Sequence, residues 1–140
     1  MQLPILKAIA RLSMSTILCS AALAADASAK SAVPGTLNYV EGQASIGTEA
    51  LDSKSIGSAQ LQTGESLTTG NGKAEVLLTP GVFLRVGSDS SVKMISPGLT
   101  NTDISLDHGH AMVEVAEIHS ENDIRISAGG TTTELLKTGL

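Results

Sequence analysis

Cysteine, aromatic residues and basic residues are all scarce in this 140-residue chain, and each scarcity removes a class of function. The one cysteine, Cys19, lies in an apolar N-terminal run. No disulfide can form within the chain, and residues beyond that run have no thiolate for a metal site or a nucleophile. Tyr39 and Phe83 are the only aromatic residues, and tryptophan is absent. A stacking platform for nucleic-acid bases is therefore excluded, and one for sugar rings fails for the same reason. Nine Lys and Arg stand against fourteen Asp and Glu, for a formal charge of −5. Phosphate recognition needs clustered cations, so nucleic acid is not an expected partner. The core must come from Val, Leu, Ile, Ala and Met. Small domains bury a modest fraction of their surface, so marginal stability, or stability gained by association, is expected.

The N-terminus has the layout of a secretory signal peptide. Lys7 and Arg11 supply a positive region, Leu12–Ala25 is apolar, and Ala22-Leu23-Ala24 and Ala25-Asp26-Ala27 offer small-x-small cleavage sites. The apolar run is shorter than the ~20 residues of a spanning helix, and an uncleaved anchor would bury Lys7 and Arg11. Residues 1–25 are read as the leader, cleaved near Ala24/Ala25, leaving no transmembrane helix in the mature chain. Leu18 before Cys19 does not suit a lipoprotein signal, so Cys19 reads as leader packing. Loss of Lys7 and Arg11 takes the charge from −5 to −7. Residues 26–33 read as a polar linker, and a domain spans 34–140.

That domain reads as all-β. Alternating runs of four to six residues, broken by glycine turns, predict a short-stranded antiparallel β roll, solenoid or sandwich. No amphipathic helical stretch follows the leader. Expected strands are Thr36–Val40, Gln43–Ile46, Ser66–Thr68, Ala74–Leu78, Val82–Val86, Ser91–Ile95, Asp103–Leu106, His110–Val115, Ile124–Ser127 and Thr131–Leu136. Glu41-Gly42 and Asn71-Gly72 read as turns. Glu49–Gln62 follows neither period, with Leu51, Ile56 and Leu61 too far apart for a strand and Gly57 against a long helix.

The Ala74–Val86 hairpin can be read to the level of register. Side chains alternate with period two, so a one-residue slip exchanges the faces. A three-residue Thr79-Pro80-Gly81 loop pairs Leu78 with Val82, Leu77 with Phe83, Val76 with Leu84 and Glu75 with Arg85, with Gly81 left-handed. A simple two-residue loop would instead set Glu75 against Val86. The exposed Glu75–Arg85 pair adds little stability and serves to fix register. Leu77, Phe83, Glu75 and Arg85 share the second face, which is the candidate interaction face.

Catalytic and metal chemistry find little support. His108, His110, Glu114, Glu117 and His119 are types that suit zinc or another divalent ion. Of these only His110 and Glu114 share a strand side, about 13 Å apart at ~3.3 Å per residue. They read as exposed polar residues opposite an Ala111-Val113-Val115 core face. There is no G-x-S-x-G elbow. Glu114/Glu117 and Glu121/Asp123 read as solvated rims. Gly70-Asn71-Gly72-Lys73 precedes a strand, not the helix N-terminus that holds phosphate. No nucleophile, base and orienting group can be assembled. The expectation is a non-enzyme without catalytic, metal or cofactor residues, the alternative being a small-ligand or metal-binding periplasmic module.

One run carries a resemblance: Gly64-x-x-Leu67-x-Thr69-Gly70-x-Gly72-x-Ala74-Glu75-x-x-Leu78-x-x-Gly81-x-x-Leu84-x-x-Gly87-x-x-Ser90. With Val40-x-Gly42-x-Ala44 before it and Asp103-x-x-Leu106-x-x-Gly109-x-Ala111-x-Val113-x-Val115 after it, the chain resembles the FecR-type domain family over about Thr36–Val115. Thr79-Pro80-Gly81 replaces that family's usual acidic-Gly turn. In the family's signalling members a cytoplasmic anti-sigma region and a membrane helix precede the domain. Here a leader is read in that place, so the sigma-regulating role is not carried over. The resemblance implies an exported β domain, periplasmic or secreted, that works by contact with an envelope or periplasmic protein. The strand-like run just before Leu140 fits either a truncated record or a free C-terminus.

Overall fold

Strands form where the sequence alternates, and two of them run through glycines that read as turns. The structure is a computed structural model and describes residues 32–136. The leader, its cleavage sites and Cys19 lie outside the described residues. Among the described residues there are nine strands and no helix: β1 (Leu37–Ile46), β2 (Glu49–Ala50), β3 (Ser66–Thr79), β4 (Val82–Val86), β5 (Ser91–Pro97), β6 (Asn101–His108), β7 (Ala111–Val115), β8 (Asp123–Ala128) and β9 (Thr131–Glu134). The fold is all-β.

Two expected turns are strand interior instead. Glu41-Gly42 lies within β1, and Asn71-Gly72 lies within β3. The reason is that the two strands face each other at this point. Gly42 pairs with Gly72, and the ladder shifts register between Gly42 and Ala44. Such an irregularity bends a pair of strands without ending it. A Cβ on Gly72 would lie 2.5 Å from both Gln43 N and Glu41 O, so only glycine permits the approach.

The bend divides the sheet into two arms. β3 is paired with β1 on one side. On the other it is paired with β5 along Ser66–Thr68 and with β4 along Ala74–Thr79. β4 and β5 are thus two halves of one interrupted strand. The next layer repeats this, with β7 on β4 and β6 on β5. The breaks at Gly87–Ser90 and at Gly109-His110 fall level with the bend in β3. Residues 116–122 then carry the chain from the far end of β7 to the far end of β6, where Asp123 N donates to Thr100 O at 2.9 Å. β8 therefore runs parallel to β6, and β9 turns back antiparallel on β8. This one parallel pair makes the sheet mixed, among otherwise antiparallel pairings.

Each arm buries one face, and both faces enter one core. Ala74, Val76, Leu78, Val82, Leu84 and Val86 come from the β4 arm, and Leu67, Val92, Met94, Ile104 and Ile124 from the β5 arm. Burying such a side chain fully is worth roughly 1.5–3 kcal/mol. The Glu49–Gln62 segment contributes the two-residue β2 and then turns; its Leu51 and Leu61 are buried while Ile56 stays exposed.

The β3–β4 hairpin keeps the expected pairs Leu77–Phe83, Val76–Leu84 and Glu75–Arg85, but its loop differs. Thr79, not Leu78, pairs with Val82, so the loop is the two residues Pro80-Gly81 and the register shifts between Leu77 and Thr79. Proline second and glycine third, with Gly81 at φ 81°, match a type II turn. A type II turn twists against the strands it joins, and the irregularity at Leu78 absorbs the mismatch. Leu78, Thr79 and Val82 are all buried.

Candidate interaction face

The strongest sequence motif proves to be architecture. Thr69 is buried; its hydroxyl donates to Gly87 O at 2.5 Å and accepts from Ser90 N at 3.1 Å. Buried Ser90 donates to Ser88 O and accepts from His110 N, each at 2.9 Å. Asp89, with φ 50°, donates its backbone N–H to Gly70 O at 2.9 Å. Thr69, Gly70, Gly87, Ser90 and Gly109 thus satisfy the backbone groups where two strands break at once. Buried polar groups need such partners, and none of these side chains is left free to react.

The outer face of the β4 arm is different. Pairing aligns Tyr39, Glu75, Arg85 and Met112 in one row across β1, β3, β4 and β7, and Leu77, Phe83 and Glu114 in the next. All four residues expected on the second face of the hairpin are brought together here. Tyr39 and Met112 join them; they were not legible because nothing local shows that β1 and β7 flank the hairpin. Tyr39 and Met112 are about half exposed, while Leu77 and Phe83 are half-buried.

A line of charge crosses this apolar surface. Arg85 Nε donates to Glu75 Oε2 at 2.5 Å, and Asn38 Nδ2 donates to Glu75 Oε1 at 2.5 Å. Arg85 Nη2 also lies 2.5 Å from Glu114 Oε2, out of line for a directed hydrogen bond, so that contact is ionic. Glu75 is nearly covered, its side chain 12 % exposed. The Arg85 guanidinium is held above its ordinary pKa, chiefly by the hydrogen bond to Glu75; desolvation opposes this, and the charges of Glu114 and Glu75 add to the rise. Tyr39 Oη donates to Glu41 Oε2 at 2.6 Å, and that bond raises the phenol above its usual range. Beside the charge line lies an open, mainly apolar depression of about 310 Å³, rimmed by Tyr39, Lys73, Glu75, Arg85, His110 and Met112.

The histidines and acids weighed for metal binding are dispersed. His110 sits over Gly87, Glu114 faces Arg85, and His119 Nε2 lies 3.2 Å from Glu117 Oε1 in the 116–122 crossing. Among the described residues no three His, Asp or Glu side chains converge. A larger hollow of about 550 Å³ lies beneath residues 52–62. Its lining groups serve local turns: Lys54 N and Ser55 N donate to Asp52 Oδ1, and Glu65 accepts from Gln62 N.

Fold and motif together define an all-β domain whose motif residues build a corner. The chain belongs to the FecR protein family, whose match spans residues 65–140, more than half of the sequence. No curated protein and no solved structure matches it. No helix among the described residues is long and apolar enough to cross a membrane.

Proposed function

We propose that this FecR domain is a non-enzymatic module of the exported cell envelope that binds a protein partner through the outer face of β1, β3, β4 and β7. The observation that carries this reading is the grouping of Tyr39, Leu77, Phe83 and Met112 around the Glu75–Arg85–Glu114 line. Tyr39 and Phe83, the only aromatic residues of the chain, both stand on this face. Aromatic anchors beside an ordered arginine are the composition that protein interfaces favour. The corner of Thr69, Gly70, Gly87 and Ser90 would then serve as the frame, with specificity set by the outward residues of the β4 arm.

The test is Phe83→Asp. Phe83 is half-buried and points away from the core, so the far-ultraviolet circular dichroism spectrum should remain that of the parent. Capture of a partner from envelope extract should be lost. Undiminished capture by a folded Phe83→Asp protein would overturn the assignment of this face.

A further inference from the structure

The sheet has an open edge at β7. β7 pairs with β4 only, and among the described residues no strand lies on its other side. Parity is fixed by two bonds: Gly87 N donates to His110 O at 3.0 Å, and Ala116 N donates to Gly81 O at 2.8 Å. In an antiparallel ladder the backbone groups alternate in direction. His110, Met112, Glu114 and Ala116 therefore turn theirs toward β4, and Ala111, Val113 and Val115 turn theirs outward. The other edges are poor templates: β2 has two residues, the part of β1 beyond it is broken by register irregularities at Leu37/Tyr39 and Gly42/Ala44, and β9 is wholly exposed Thr-Thr-Thr-Glu. β7 has no proline, lysine or inward charge, the devices that normally blunt an edge.

We propose that β7 pairs with β7 of a second copy of this chain, antiparallel and centred on Val113. The sequence Ala-Met-Val-Glu-Val is self-complementary in that register. Val113 meets Val113 of the copy and Ala111 meets Val115, so all outward backbone groups face one another. Met112 meets Glu114, so the two Glu114 carboxylates avoid each other, and each remains beside its own Arg85. Shifting the register by two residues would set Glu114 against Glu114 or Met112 against Met112. A two-fold contact must match a surface to itself, and the centred register does so without repulsion. The two outer faces then join into one surface. This inference does not rest on the partner reading above, since the edge and the face are distinct surfaces of β7.

The full chain, purified as expressed, should show an average mass rising from one copy toward two across a dilution series in sedimentation equilibrium. Val113→Pro removes an outward N–H while leaving every donor to β4 in place, and should hold the protein monomeric. Met112→Lys faces Glu114 of the copy twice and should tighten the dimer about threefold to tenfold; Met112→Glu should weaken it by a similar factor. Met112 is half exposed, so these two variants keep the test decisive if Val113→Pro fails to fold. A mass of one copy at every dilution overturns the proposal. So does a dimer whose strength Lys and Glu at position 112 change in the same direction.

Discussion

The two arms of the sheet share one core and one bend yet present opposite outer faces. The β5 arm is hydroxyl-rich. Thr68 and Ser91 hydroxyls lie 3.3 Å apart, Ser127 and Thr132 hydroxyls 2.9 Å apart, and Ser66, Lys93, Ser105, Ser127 and Thr132 form one paired row. Its arginine, Arg125, forms its ion pair with Asp123 two residues away on its own strand, Nη2 to Oδ2 at 2.7 Å, and reaches β6 only through a long 3.5 Å bond to Asn101 Oδ1. The β4 arm places Tyr39, Leu77, Phe83 and Met112 outward, and its arginine links β3, β4 and β7. An arginine whose ion pair lies on its own strand adds little order to a face. One that ties three strands orders the face, which is why the contact reading falls on the β4 arm.

The comparison breaks most completely if the bend is removed. Gly72→Val forces a side chain into the β1 backbone and should cost about 3 kcal/mol or more. Urea unfolding would show this, and the arms should lose cooperativity together because they share a core. Next is the corner. Thr69→Val keeps the shape but leaves Gly87 O and Ser90 N without their hydroxyl partner, and should destabilise by about 2 kcal/mol in the same measurement.

The differences between the faces should appear in smaller effects. Arg85→Met leaves Glu75 with Asn38 as its one partner, and should lower stability by less than Thr69→Val does. The gap from the parent should narrow in high salt, because the Arg85 end of the pair is half exposed and partly screened. Arg125→Met in the other arm should show still less, its pair being local. Smallest is the titration of Tyr39. The folded phenol is raised by its bond to Glu41. A raised folded pKa means that any stability it supplies is complete below the ordinary tyrosine range and is lost as pH rises through the raised value. Tyr39 is the sole tyrosine, so tyrosinate absorbance reports it alone. Its midpoint should lie above the usual value and fall back in Glu41→Gln; a midpoint unaffected by Glu41→Gln would remove the bond.

Much of the β4 arm was legible because its information is local. Ala74, Val76 and Leu78 against Glu75 and Leu77 is a period-two pattern, and the Glu75–Arg85 pairing follows from matching two such patterns across a short loop. The loop is one residue shorter than the pattern predicts, since an irregularity at Leu78 lets a two-residue turn keep the longer loop's register. The rest of the face was hidden. Tyr39 and Met112 lie far from the hairpin in sequence, and only pairing across β1 and β7 brings them beside Glu75 and Arg85.

Alternation along the chain by itself determined the strands, their inward and outward faces and the all-β class, and its glycine, threonine and serine spacing carried the family. Tertiary structure decided what the glycines do. Gly42 and Gly72 are compatible with a turn or with a bend inside a strand, and the choice depends on whether another strand lies opposite. Likewise, whether β8 runs with or against β6 depends on where residues 116–122 land, and that is set by two arms meeting over one core. Side-chain periodicity is a property of neighbours in sequence, whereas bends, crossings and assembled faces are properties of neighbours in space.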